Sequence, residues 1–141
     1  MIVLDTNVIS ETWKVDPDIS VLNWLDDQLL ETLFVTSITV AELRFGIATM
    51  PKGKRRAYFA KKLEEVVLPS FNDRILSFDL TASNAYGDLI AKARAKGKAI
   101  SKADGYIAAI AETNRFAVAT RDIKPFKAAG LKVIDPWSAR H

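Results

Sequence analysis

Cysteine is absent from all 141 residues, which removes disulfide scaffolds, thiolate-bound zinc and thiol catalysis together. Histidine occurs once, at His141, so a Ser-His-Asp triad or an imidazole-based metal site has almost nothing to draw on. Long apolar runs are missing as well. None approaches the roughly 20 residues needed to span a bilayer, and the opening Met1-Ile2-Val3-Leu4-Asp5 lacks the basic start and apolar core of a signal peptide. The expectation is a cytoplasmic protein with no membrane contact. Aromatics are few, at 9%; Phe59, Tyr86 and Tyr106 fall on apolar helix faces, which suits core or interface better than base stacking.

What remains is an ordinary globular composition, 49% hydrophobic and 26% charged, of a length that suits one domain over residues 1–141. The seventeen Asp and Glu are the main reactive side chains, so any metal must be held by oxygen. A net charge of +3 says little as a sum; its distribution says more. Residues 1–31 carry seven acids and one base, Lys14. From Arg44 to Lys62 seven bases occur without an acid, and Lys92, Arg94, Lys96, Lys98 and Lys102 form a second basic stretch. Clustered bases suit a phosphate backbone, a solvated helix face being the plainer explanation.

The apolar run Ile2-Val3-Leu4 reads as a buried strand that stops at Asp5. Asp16-Pro17 reads as an N-cap followed by proline at the first helical position, with Ile19, Leu22, Leu25 and Leu29 along one side of the helix. Leu33 to Thr36 is a second strand. Ser37 starts a helix carrying Val40, Leu43, Ile47 and Ala48 inward, and 53–68 forms a basic helix with Phe59, Leu63, Val66 and Val67 on its apolar side, closed by Pro69. A strand over 75–78 leads to a long helix capped by Asp79 and stopped at Gly97. Ser101 begins a helix to about Asn114, followed by a strand at 116–120, a short helix at 124–129 and a last strand at 131–134. This alternation predicts an α/β sandwich with a mostly parallel central sheet. Two consecutive helices over 38–68, without a strand between them, read as a projecting helical arm and a surface for a dimer or partner.

Ligands of an open parallel sheet bind beyond the carboxyl ends of the strands. Four acids are stationed there: Asp5 after the first strand, Glu42 a turn into the helix after the second, Asp104 in the helix after Ser101, and Asp122 after the strand ending at Thr120. Each has a structural explanation. Asp5 or Thr6 can cap a helix near Asn7; Thr39 to Glu42 and Ser101 to Asp104 have capping-box spacing; Asp122 can cap the helix containing Pro125. Taken together, four like charges at equivalent ends are costly unless cations neutralise them or one takes a proton. Oxygen ligands select magnesium or manganese, which share a substrate's phosphate, and such an assembly suits phosphodiester cleavage. Thr6, Asn7 and Thr120 are placed to support the acids, and Arg121 to meet a phosphate oxygen.

The ordered segments Val3-Leu4-Asp5-Thr6-Asn7-Val8, Thr36-Ser37-Ile38-Thr39-Val40-Ala41-Glu42-Leu43, Ser101 to Ala109, Ala119-Thr120-Arg121-Asp122 and Val133-Ile134-Asp135-Pro136-Trp137 resemble those of PIN-domain ribonucleases. The resemblance is to the VapC/FitB type of toxin from bacterial toxin–antitoxin pairs and covers nearly the whole chain. It implies a PIN-like three-layer sandwich in which Asp5, Glu42, Asp104 and Asp122 hold Mg2+ or Mn2+, Asp5 and Asp104 most firmly, with Thr120 in support. It further implies an endoribonuclease hydrolysing structured RNA such as tRNA, pairing as a homodimer, blocked by a small cognate antitoxin and meeting DNA only through that antitoxin. Gly105 departs from the pattern, where many relatives carry alanine; a glycine in the first helical turn costs about 1 kcal/mol relative to Ala and is expected to loosen the local geometry. Two other readings stand beside this one. A receiver-like signalling domain also gathers acids at strand ends, although here only Asp5 ends the first strand. An inactive nucleic-acid or protein binding module would use the acids as caps.

Overall fold

The computed structural model describes residues 1–138; His141 lies outside the described residues. Strand β1 (Ile2–Leu4) runs into helices α1 (Thr6–Thr12) and α2 (Ile19–Asp26). Strand β2 (Leu33–Thr36) is followed by α3 (Ser37–Ala48), α4 (Lys54–Lys62), a π-helical turn over Leu63–Val67 and α5 (Leu68–Ser70). Then come β3 (Ile75–Leu76), α6 (Leu80–Ala95), α7 (Lys102–Asn114), β4 (Ala117–Ala119), α8 (Ile123–Ala128) and β5 (Val133–Ile134). Among the described residues no helix is long and apolar enough to cross a membrane.

The five strands form one sheet in the order β3-β2-β1-β4-β5, and every pairing is parallel. Because side chains alternate across a strand, each strand feeds two cores. Leu4, Leu33, Val35 and Ala119 pack with α1 to α5 through Val8, Val21, Leu43, Phe59 and Leu63. Val3 and Val118 face the other way, against Ile107, Ala108 and Ala111 of α7 and Phe126 of α8. The result is a three-layer sandwich. Its chain order reverses between β1 and β4, so the crevice at the carboxyl ends of those strands is the natural ligand position.

Several local expectations are corrected. The cap of α2 is Asp18, whose Oδ1 accepts from Ser20 N at 2.8 Å, in place of Asp16-Pro17. Its inward face is Val21 and Trp24, whereas Ile19 and Leu29 are exposed. In α3 the inward residues are Thr39, Leu43 and Ile47; Ala48 is exposed. The basic helix continues past Pro69 to Ser70. Lacking an N–H, Pro69 cannot close the α-helical bond to Glu65, and the turn ahead of it widens, Leu68 donating to Leu63. The third strand is shorter than expected, ending at Leu76. The helical pair expected as an arm lies on the body through Leu43, Ile47, Phe59 and Leu63, while its outer surface presents Phe45 and Tyr58.

Candidate active site

Asp5 follows directly from β1, and its backbone N–H continues the ladder by donating to Ala119 O at 2.9 Å. Both carboxylate oxygens are held, each keeping a free lone pair: Oδ1 accepts from Thr6 N at 2.8 Å and Oδ2 accepts from the Thr120 hydroxyl at 2.8 Å. The first bond makes Asp5 the N-cap of α1, so capping and a place in the crevice are the same arrangement rather than competing explanations. Only 5% of Asp5 is exposed. Burial, with a smaller contribution from repulsion by Asp104 and Glu42, pushes its carboxyl up to about 6 against the lowering effect of the Thr120 and Thr6 hydrogen bonds.

Thr120 is the hub of the site. Fully buried at the end of β4, its hydroxyl donates to Asp5 and accepts from Asn7 Nδ2 at 3.3 Å and Asp122 N at 3.0 Å. Asn7 Oδ1 in turn accepts from Arg121 N at 3.3 Å, which ties α1 to the loop after β4. The Arg121 guanidinium lies over the Trp137 ring, 5.5 Å from its centroid.

Glu42 enters from α3 and is exposed. It makes no capping box with Thr39, because the N-cap of α3 is Thr36, which accepts from Thr39 N at 3.1 Å. Instead the Thr6 hydroxyl holds Glu42 Oε1 at 2.6 Å and lies 3.0 Å from the buried Thr39 hydroxyl. Asp104 stands in the first turn of α7, whose N-cap Ser101 accepts from Asp104 N at 3.2 Å. Burial, then repulsion from Asp122 and Glu42, push the Asp104 carboxyl up, partly offset by a hydrogen bond with Ser101. Asp122 precedes α8 without a side-chain capping bond.

The structure thus brings all four acids into one electrostatically coupled crevice, with Thr6 bonded to Asp5 and Glu42, Thr120 bonded to Asp5 and Asp122, and Asn7 joined to them through Thr120. Among the described residues no three acidic side chains converge closely enough to hold an ion unaided. The donor set nevertheless fits a hard divalent cation. It is all oxygen, its mutual repulsion would be relieved by positive charge, and magnesium commonly takes one or two carboxylates with water and a substrate phosphate completing its shell.

Two contributors escaped the sequence reading. Thr39 reaches the Thr6 hydroxyl from within the core, and Glu11, 4% exposed, accepts from Lys14 Nζ at 2.8 Å and Asp18 N at 2.9 Å, fixing the turn between α1 and α2. A polar side chain one turn inside an apolar helix face was the available signal for each. Gly105 is also corrected. A Cβ there would stand 2.9 Å from Tyr86 Cε2 and 3.1 Å from Ile90 Cδ1, so the glycine permits close packing of α6 on α7 rather than loosening the turn beside Asp104.

The PIN domain family matches residues 2–131. The chain is 61% identical over 137 residues to the VapC ribonuclease Y4jK of Sinorhizobium fredii, covering 97% of this chain and 98% of that protein. It is 45% identical to Toxin FitB of Neisseria gonorrhoeae, covering 97% and 99%. The solved structure of FitAB bound to an IR36 DNA fragment superposes with a TM-score of 0.97 at 43% identity, covering 100% of this chain and 99% of that one.

Proposed function

The chain belongs to the PIN-domain family, and from that premise we propose that it is a divalent-metal-dependent endoribonuclease acting as the toxin of a toxin–antitoxin pair. Family membership displaces the receiver-like alternative. The observation that carries the proposal is the buried Asp5 coupled to Glu42 and Asp104 at the carboxyl ends of β1 and β4. Asp5 and Asp104 would hold Mg2+ or Mn2+, with Glu42 and Asp122 completing the acidic rim. When bound, the ion supplies positive charge that offsets the carboxylates and polarises the substrate phosphate.

The chain's own residues have distinct tasks. Thr120 and the Thr6 backbone fix both oxygens of Asp5, so the carboxylate loses no further rotamer freedom when a substrate arrives. Thr6 likewise aims Glu42. Hydrolysis in such a site puts the incoming water oxygen on phosphorus and breaks the P–O3′ bond, leaving a 5′-phosphate and a 3′-hydroxyl. Structured RNA such as tRNA is the proposed substrate. The ribonuclease and toxin names of its relatives support an RNA target and a cognate antitoxin. DNA would be met through that antitoxin. We place residues 1–141 in a single domain that pairs as a homodimer, the outer face of α3 and α4 with its exposed Phe45 and Tyr58 offering a surface to a partner.

The test is cleavage of end-labelled total tRNA by antitoxin-free protein and its Asp5→Asn variant, with magnesium, manganese or EDTA. The expected outcome is metal-dependent cutting with 5′-phosphate ends, lost in the variant. Cyclic-phosphate ends would refute hydrolysis, and equal activity in both proteins would refute the site. RNA binding without cleavage under every metal condition would favour an inactive binding module.

A further inference from the structure

The two basic stretches of the sequence are not equivalent in space. Much of the first is engaged within the protein. Arg44 pairs with Glu64, Lys61 lies 3.9 Å from Glu65, and Arg55 and Lys62 stand over Phe59 and Tyr58 at 5.6 and 5.8 Å. A different basic group lies beside the acids. A cavity of about 560 Å³ opens between the loop joining α6 to α7 and helix α8, and it is shared by Asp104, Asp122, Lys98, Lys124 and Lys127. Its volume falls in the range of pockets that hold small ligands.

Lys98, Lys124 and Lys127 are exposed, and among the described residues none of them has a carboxylate within ion-pair distance. The cavity therefore has an acidic end at Asp104 and Asp122 and a cationic end whose three lysines make no ion pair among the described residues. Pro125 and Ala128 add apolar surface to the same wall. Lys124 and Lys127 come from α8, outside both basic stretches, and only the fold sets them beside Lys98.

We propose that this cavity is a subsite for the RNA strand, in which Lys98, Lys124 and Lys127 hold a backbone phosphate neighbouring the one cut at the carboxylates. The nucleotide between them rests against Pro125 and Ala128. This inference depends on the ribonuclease reading above. The lysines are positioning residues: they set which phosphate reaches the acids and take no part in bond breaking.

The experiment uses the full chain carrying Asp5→Asn, so that RNA is bound and not cut, with a fluorescent single-stranded RNA of mixed sequence as probe. Affinity is measured against salt for this parent, for Lys98→Gln/Lys124→Gln/Lys127→Gln, and for a charge-matched set elsewhere, Lys52→Gln/Lys54→Gln/Lys132→Gln. The cavity set is expected to weaken binding by about tenfold or more at low salt. It should also flatten the slope of log K against log salt by about 0.7, the value for one lost phosphate contact on a single strand. The comparison set should lose much less. Equal losses in the two sets would overturn the subsite while leaving the ribonuclease reading intact, whereas a parent that binds no RNA even at low salt would overturn both. In the cleaving background, a raised KM with kcat retained supports positioning, and an unchanged KM refutes it. All six lysines are exposed, and unchanged melting midpoints would show that the substitutions act on binding.

Discussion

Thr120 holds more of the site than any carboxylate does. Its single hydroxyl hydrogen goes to Asp5, and its lone pairs take hydrogens from Asn7 and Asp122. Thr120→Val keeps the shape, removes all three bonds and strands the buried Asp5 oxygen. The bond from Thr120 lowers the Asp5 carboxyl from where burial alone would leave it. Without it the carboxyl rises above about 6, and a higher pH is needed to ionise it. The acid limb of the cleavage-pH profile should therefore move to higher pH, with activity down about tenfold, as for other groups that orient metal ligands. Thr120→Ser, which keeps the hydroxyl, should recover most of both. A profile that stays in place in the valine variant would contradict this account.

Among the elements, the contact of α6 with α7 determines where Asp104 stands. Tyr86 and Tyr106 lie 5.0 Å apart by ring centroid and Phe78 completes the cluster, 4.8 Å from Tyr106, so the Tyr86 ring that faces Gly105 has little room to yield. Gly105→Ala would gain about 1 kcal/mol of helix propensity but forces a methyl to 2.9 Å from that ring, and overpacking of this kind costs about 1 to 3 kcal/mol. The expected outcome is a net loss of about 1 kcal/mol in denaturant unfolding. Catalysis should suffer more than stability, because the displaced helix carries Asp104. A more stable alanine variant would show that α6 can move aside freely.

For the whole molecule, the acidic crevice makes stability depend on pH and on cations. Asp5 is raised from 3.8 in the unfolded chain to about 6 in the fold. The folded state binds the extra proton between those values, so this contribution is fully present below about 4 and is lost as pH rises through about 6. Glu11 has the opposite sign: the hydrogen bond from Lys14 and that from the Asp18 backbone hold its carboxyl low, and its contribution is lost as pH falls. In chelated protein, Asp5→Asn should therefore melt above the parent at pH 7 and converge with it near pH 4. The largest gap expected is on the order of 3 kcal/mol. Adding magnesium at pH 7 should raise the midpoint of the parent and much less that of the variant. If magnesium raised both midpoints equally, Asp5 would not be a ligand.

Strand positions, the sandwich and the four acids were legible in the sequence because each rests on local pattern. A short β-branched run that ends at Asp5, a cap at Asp79 or Ser101 and a glycine stop at Gly97 are read from a few neighbouring residues. The family resemblance rested on ordered segments of the same kind. The face of α2 differs from the expected stripe of Ile19, Leu22, Leu25 and Leu29 because Val21 and Trp24 meet the core, with Leu25 packed beside them, while Ile19 and Leu29 stay exposed. Periodicity fixes spacing and leaves the phase to packing. Capping and a place among the acids looked like alternatives for Asp5, since a sequence cannot say that one carboxylate caps α1 through Oδ1 and meets Thr120 through Oδ2. Gly105 carried no local signal either, because its reason is a ring on another helix. The sequence determined which chemistry is available: oxygen ligands, no thiol and one imidazole. Tertiary structure decided which charges meet, because a parallel sheet with its order reversed between β1 and β4 gathers residues 5, 42, 104 and 122 at one edge, where burial first and mutual repulsion second raise the carboxyls of Asp5 and Asp104.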